Sequence, residues 1–259
     1  MSNRDFEQAA RILRDSQYVI CLTGAGLSVE SGIPPFRGPG GIWTKHGEPP
    51  MDGFQRFLQD PAEEWRKRLN PEGPMKAFAE TLQKAAPNDG HRALAELEEL
   101  GVLRCLITQN VDNLHRAAGH RDVLEIHGNA TLLRCLDCSQ RWSRDAIVVD
   151  PENLPPRCDE CGGIIKSDTV NFGEPIPGPV LSRCMQEGSL ADCCIVAGTS
   201  ATVYPAAQIP LDVLHRRGQL IEVNLYESEI TPHCTVTLQG PATTVLAKLV
   251  SCVRKLGSG

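Results

Sequence analysis

The sequence predicts an α/β fold: a parallel sheet covered by helices on both faces, with a smaller polar unit inserted into it. Three observations carry this prediction. Continuous apolar runs rich in β-formers recur at residues 18–22, 102–108, 123–126 and 193–197, as expected of strands buried on both faces. Helical stretches separate them, as the crossovers between parallel strands require. Between residues 131 and 166 this pattern breaks into a polar segment holding two Cys-x-x-Cys pairs.

The chain has 259 residues, 41% of them hydrophobic, enough for one sizeable core or a domain of two lobes. A net charge of −6 argues against nucleic acid as the main partner and mildly suits a basic polypeptide substrate. No apolar run approaches the ~20 residues of a membrane span, and the polar N-terminus lacks an apolar signal core. A soluble cytoplasmic protein with no membrane partner is expected. Of eleven cysteines, Cys135, Cys138, Cys158 and Cys161 form the two pairs, and most of the others sit in apolar runs as small buried hydrophobes.

Residues 5–16 place Phe6, Ala9, Ala10, Ile12 and Leu13 at helical spacing. The strand at 18–22 then breaks into Gly24-Ala25-Gly26-Leu27-Ser28. A strand, a glycine turn and a helix start make the grammar of a dinucleotide site: the glycines can take positive φ and admit a pyrophosphate to the backbone. The match to G-x-G-x-x-G is incomplete, because Val29 stands at the third glycine and no strand-end acidic residue follows about 20 positions later. An ordinary tight turn therefore stays open as a reading. Residues 38–53 are rich in Gly and Pro around Trp43 and read as a long loop that closes over a ligand. Asp60-Pro61 with Glu63 and Glu64 starts a helix through Leu69. Residues 75–86 and 90–100 read as two more helices, ahead of the strands at 102–108 and 123–126. Beyond the insertion, strands are expected at 169–172, 193–197, 220–224 and 235–238, and helices near 206–214 and over 243–256.

Cys135-x-x-Cys138 and Cys158-x-x-Cys161 are separated by residues 139–157 and have the spacing of a zinc ribbon. Four thiolates close a tetrahedral shell, so one such zinc per chain would hold structure and do no chemistry. Redox pairs or free thiols are the alternatives. Thr108-Gln109-Asn110-Val111-Asp112 lies at the carboxyl end of a predicted strand, where open parallel sheets bind ligands; a plain helix cap is the other reading. His127, ending the strand at 123–126, is either structural or a base suited to neutral pH.

Gly32-Ile-Pro-Pro-Phe36-Arg37, eight residues after Gly24, resembles the signature of the sirtuins, the NAD-consuming protein lysine deacylases. The resemblance runs from residue 5 to 256. Thr108–Asp112 resembles their Thr-Gln-Asn-(Ile/Val)-Asp motif, and His127-Gly128 resembles their catalytic His-Gly. Val170-Asn-Phe172-Gly173-Glu resembles their peptide-binding segment, and Gly198-Thr199-Ser200 with Val203-Tyr-Pro-Ala206 a further motif. Glu222-Val-Asn224 and Gly240-Pro-Ala242 fall where the family contacts adenosine.

The resemblance implies a single catalytic domain: a Rossmann-like parallel-sheet lobe (about 1–34, 76–130 and 167–259) and a smaller lobe made of a helical module (35–75) and the zinc ribbon (131–166). It implies NAD as co-substrate, held by Gly24, Ala25, Gly26, Ser28, Phe36, Arg37, Gln109, Asn110, Asp112, Gly198, Thr199, Ser200, Asn224 and Ala242. His127 would be the general base and Asn110 would orient ribose and water. Asp112 would hold the carboxamide, Phe36 would shield the reacting face, and Arg37 and Ser28 would support the loop and the phosphates. Val170, Phe172, Gly173 and Val203 would bind an acyl-lysine protein or peptide. The products would be nicotinamide, O-acyl-ADP-ribose and free lysine, from a monomeric enzyme. Asn171 departs from the family's aromatic or aliphatic residue. The Tyr-x-x-Arg pair of succinyl- and malonyl-specific members is missing from Trp65-Arg-Lys-Arg68, which points to neutral acyl groups, mainly acetyl. A desuccinylase or mono-ADP-ribosyltransferase on the same fold is the alternative. An NAD(P) oxidoreductase and a noncatalytic zinc module are the rival classes.

Overall fold

The structure, a computed structural model, describes residues 2–257. In chain order its strands are β1 (Val19–Thr23), β2 (Leu103–Thr108), β3 (Val123–Glu125), β4 (Leu132–Cys135), β5 (Arg141–Ser143), β6 (Ile165–Ser167), β7 (Cys193–Ala197), β8 (Gln219–Asn224) and β9 (Val236–Gln239). The α-helices are α1 (Asn3–Asp15), α2 (Ile42–His46), α3 (Gly53–Gln59), α4 (Pro61–Leu69), α5 (Gly73–Lys84), α6 (Asp89–Glu99), α7 (Leu114–Ala117), α8 (Gly178–Leu190), α9 (Gln208–His215) and α10 (Ala242–Gly257).

Six strands form one sheet in the order β3-β2-β1-β7-β8-β9, every neighbouring pair parallel. The order runs outward in both directions from β1, which makes its carboxyl end a topological switch point. There Thr23 lies opposite Thr108 on one side and Ala197 on the other. Every residue of β1 is buried, which explains its unbroken apolar run. Phe6, Leu13, Leu94, Leu97, Leu246 and Leu249 cover one face from α1, α6 and α10. Cys184, Ile209 and Val213 cover the other from α8 and α9.

The local start signals work as expected. Ser2 and Asp5 form a reciprocal capping box on α1, and Asp60 accepts from the Glu63 N–H at the head of α4 with Pro61 in its first turn.

The second sheet is antiparallel, β5-β4-β6, and carries the cysteine pairs at its ends. Phe57 and Trp65 from α3 and α4 pack on its Leu133 and Ile165, and the buried Trp65 indole N–H donates to the Ile165 carbonyl at 2.8 Å.

Three expectations are corrected, and one helix was not foreseen. Residues 169–172 form no strand; the ladder stops at Ser167 because the next residue, Asp168, turns its carboxylate inward onto Arg134, Arg141 and the Asn129 N–H. The glycine turn leads into a 3₁₀-helix, Ala25–Ser31, not an α-helix. The glycine-rich segment 38–53 contains α2 and runs into α3. Helix α8 carries only Cys184, Glu187 and Gly188 on its buried face, too small and polar a stripe to show as periodicity. No helix among the described residues is long and apolar enough to cross a membrane.

Candidate active site

The carboxyl ends of β1, β2 and β7 meet at the switch point. Gly24 donates its N–H to the Ala197 carbonyl (3.1 Å) and Gly26 to that of Gly198 (2.7 Å). A Cβ on Gly24 would lie 2.7 Å from Thr199 Cβ, and one on Gly26 would lie 2.8 Å from the Gly198 oxygen. Close approach of two chains, then, is what demands glycine. The expected positive φ is not found at either position, and Gly24 is extended (φ −138°). The Gly26 N–H is thus engaged within the protein. Gly198 does take positive φ, +61°.

The loop after β2 supplies the polar cluster. Asn110, nearly buried, donates from Nδ2 to the Gly24 carbonyl (3.0 Å) and to Ser28 Oγ (3.1 Å). Ser28 Oγ donates to Asp112 Oδ2 at 2.7 Å, and the Leu114 N–H donates to Asp112 Oδ1 at 3.0 Å. Burial raises the Asp112 pKa, opposed by these donors. Ser28 is buried, and its hydroxyl links Asn110 to the Asp112 carboxylate. His91 stands behind it, Nε2 at 3.4 Å from Ser28 Oγ, with its pKa pushed down to about 4 by burial, then by His120 and Arg92. Sequence reasoning missed His91; the Asn88-x-x-His91 capping box that starts α6 was the available signal. Gln109 donates from Nε2 to Thr199 Oγ1 (2.9 Å), and Asn224 from Nδ2 to the Thr199 carbonyl (2.8 Å). Glu222 is fully buried and accepts from Thr231 Oγ1 (2.6 Å).

His127 follows β3. Its Nδ1 lies 3.2 Å from the Gln109 carbonyl, which can only accept, so the proton sits on Nδ1 and Nε2 keeps its lone pair. Burial lowers the ring's pKa, and the bond to Gln109 partly restores it. The backbone behind is tight: Gly128 has φ +78°, and a Cβ there would fall 1.8 Å from the Asp168 oxygen. The Gly128→Ala variant is expected to lower the thermal midpoint and to lose at least about tenfold in activity, since both backbone strain and a clash must be relieved. An unchanged melting curve with unchanged turnover would refute this packing.

Val170 donates its N–H to the His127 carbonyl (2.9 Å), and Phe54 donates to the carbonyl of Phe172 (2.9 Å). Gly173 has φ +77°, and a Cβ there would approach Met51 O to 2.7 Å. Phe36 stacks at 4.9 Å on Trp43, which meets Phe172 edge-on at 5.6 Å, and Phe78 lies 6.3 Å from Phe36. Arg37 is not a loose surface cation: it lies over Trp43 (4.7 Å), pairs with Glu48 (3.0 Å) and reaches Thr202 (3.3 Å), which bonds Ser200 (2.9 Å). Val203 and Ala242 line the same edge of the sheet, at the turn into α9 and the first residue of α10.

The four ribbon sulfurs lie within 4.8 Å of one another, with Cys135–Cys161 at 3.5 Å and Cys138–Cys158 at 3.8 Å. Zinc–sulfur bonds of about 2.3 Å in a tetrahedron require sulfur separations near 3.8 Å, so the donor set fits zinc. Gly163 is held bare beside it, since a Cβ there would meet Cys135 Sγ at 2.8 Å. In a second group, Cys105, Asp122 and Glu187, both carboxylates are already engaged by Arg183 (2.8 and 2.9 Å).

Comparison with known proteins gives a consistent result. The sequence pattern of the Sir2 family matches residues 24–205. NAD-dependent protein deacylase 1 of Archaeoglobus fulgidus is 43% identical over 254 residues, covering 96% of this chain and 98% of that protein. The NAD-dependent protein deacetylase of Sulfurisphaera tokodaii is 42% identical over 86% of each chain. Among solved structures, a Sir2 homologue in complex with ADP-ribose superposes with a TM-score of 0.82 at 41% identity, covering 100% of this chain and 98% of that one. A complex of Sir2 with a p53 peptide and NAD⁺ superposes with a TM-score of 0.76 at 32% identity, covering 100% and 99%.

Proposed function

The chain belongs to the Sir2 family, and we propose that this NAD-dependent protein-lysine deacylase works with His127 as its general base, mainly on acetyl-lysine. The observation that carries the assignment of the base is the His127 imidazole: its Nδ1 proton faces the Gln109 carbonyl, which leaves the Nε2 lone pair to accept a proton. NAD⁺ supplies an anomeric carbon, with nicotinamide as leaving group, for the acyl-lysine oxygen. Nε2 of His127 accepts a ribose hydroxyl proton. Asn110 has committed its Nδ2 to Gly24 and Ser28, which leaves Oδ1 for ribose or water. Asp112 accepts from the carboxamide, and Phe36 keeps water from the reacting face. Gly24, Ala25 and Gly26 line the pyrophosphate, with Arg37 tying the covering loop to Thr202. Gln109, Gly198, Thr199, Ser200, Asn224 and Ala242 hold the remaining nucleotide. Val170, Phe172, Gly173 and Val203 receive the acyl-lysine chain.

In this reading the cleft lies between a Rossmann-like lobe (1–34, 76–130, 167–259) and a smaller lobe (35–75, 131–166). With one water consumed to release the amine, the products are nicotinamide, O-acyl-ADP-ribose and free lysine, and mass spectrometry of NAD⁺ with an acetyl-lysine peptide tests them. NADH in place of nicotinamide would mean an oxidoreductase, and ADP-ribose left on protein a transferase. A cytoplasmic, monomeric enzyme completes the proposal. Eleven cysteines without a disulfide among the described residues favour a reducing compartment, and sedimentation checks the monomer.

The acyl preference rests on α4. A carboxylate-tipped acyl group loses hydration in an apolar tunnel and needs a fixed cation. Arg66 pairs with Glu63 (3.1 Å) and Lys67 with Glu64 (2.8 Å), both cations turned to solvent. Arg68 alone is half-buried, its pKa pushed down to about 10 by burial and by Arg144, and it favours the second reading, a desuccinylase. With no aligned tyrosine beside it, acetyl is expected to exceed succinyl in kcat/KM on one peptide. Succinyl ahead by about tenfold, an advantage of ~1.4 kcal/mol, would show that Arg68 reaches the acyl group.

A further inference from the structure

Behind the active-site edge lies a row of three buried imidazoles. His115, on the one-turn helix α7, sits 4.9 Å from the His91 ring and 5.3 Å from that of His120. Its Nε2 lies 3.0 Å from Thr23 Oγ1. Thr23 Oγ1 donates to Thr108 Oγ1 (2.9 Å), and the Asn110 N–H donates to that same oxygen (3.1 Å). Because Thr23 has one proton and gives it to Thr108, its oxygen must receive from His115 Nε2–H. The tautomer is thereby fixed, and the lone pair falls on Nδ1, which is buried with no hydrogen-bond partner among the described residues. Burial holds the ring's pKa well below its ordinary value, with His91 and His120 adding to the effect.

We infer that His115 is a positioning residue for deacylation, acting through Thr23 and Thr108 to fix the backbone of Asn110. The inference rests on the reading that Asn110 meets the ribose. A purely structural role explains the imidazole poorly. An unpaired buried nitrogen is destabilising, and an apolar side chain of similar size would remove it. What leucine cannot replace is the donor to Thr23. The chain of three bonds crosses from α7 to the ends of both central strands and stops at Asn110, whose Nδ2 then orders Gly24 and Ser28. One residue thus registers the two loops against each other.

The test compares His115→Leu with His115→Gln, whose amide N–H₂ retains a donor near Nε2. His115→Leu is expected to keep or raise the thermal midpoint and to lower kcat about tenfold to a hundredfold, as small misplacements at a reacting centre do. His115→Gln is expected to recover kcat to within about threefold of the parent. Added to Asn110→Ala, His115→Leu should cost nothing further, since both act through one group. If His115→Leu does not fold, Thr23→Val breaks the same chain one link on and must show the same loss of kcat. Wild-type kcat in His115→Leu, or in Thr23→Val where that stands in for it, overturns the inference provided Asn110→Ala is impaired, as does a multiplicative loss in the double variant. Wild-type turnover in Asn110→Ala instead overturns the reading of Asn110 itself, and the inference with it.

Discussion

His127→Ala is expected to bind NAD⁺ as the parent does and to lose about two orders of magnitude or more in kcat/KM, the loss typical of removing a positioned base. The side chain is half-buried, and its Nδ1 approaches the Gln109 carbonyl at 3.2 Å. Deleting it removes a lone pair from the site and leaves a carbonyl that water can satisfy. The pH profile adds a second reading of the same group. Burial lowers the pKa of His127, so the neutral form persists through and below the usual histidine range. Activity carried by the neutral form is therefore flat at neutral pH and falls only as pH drops through the lowered value. Calorimetry for NAD⁺ and initial rates across the acid range measure both. Near-normal turnover in His127→Ala would reassign the base, and an acid limb above the ordinary histidine pKa would contradict the burial.

Much of this was legible in the sequence because the signals were local. A run of β-formers ending in glycines gave β1 and its turn, and two Cys-x-x-Cys pairs gave the ribbon. The roles of individual residues were less legible, since a role depends on what approaches from elsewhere in the chain. Gly24 and Gly26 read as glycines for positive φ, whereas their need arises from Gly198 and Thr199, more than 170 positions away. Ser28 read as support for the loop and the phosphates, and its bond to Asp112, 84 positions away, was not legible. Residues 169–172 have a strand's composition, and only the inward turn of Asp168 onto two arginines shows why the ladder ends before them. Helix α8 was hidden for a different reason: its buried face is small and polar, so periodicity carried no signal.

Removing zinc is expected to abolish activity by more than about a hundredfold, and Cys135→Ala is expected to destabilise the protein as well as inactivate it. A structural zinc contributes on the order of 10 kcal/mol where folding and binding are coupled, and the ribbon's own apolar cluster is small. The effect reaches the active site through buried ions. Arg134 on β4 bonds Asp168 (3.1 Å) and Glu174 (2.6 Å), and Lys166 on β6 bonds Glu174 (3.0 Å). All four groups are buried. Their acidic ends hold the two segments beside the base: Asp168 accepts from the Asn129 N–H (3.0 Å), and Glu174 from that of Asn171 (2.9 Å). If the ribbon sheet loses its metal, Arg134 and Lys166 shift, and each carboxylate left unpaired costs about 3–5 kcal/mol, comparable to the stability of a whole domain. The backbone of Val170, bonded to His127, then moves with Asp168. Chelation followed by metal analysis, melting curves and rates separates the steps. Stability and activity should fall together and return together with added zinc. Zinc-free protein with full activity would break the chain of inference at its first link.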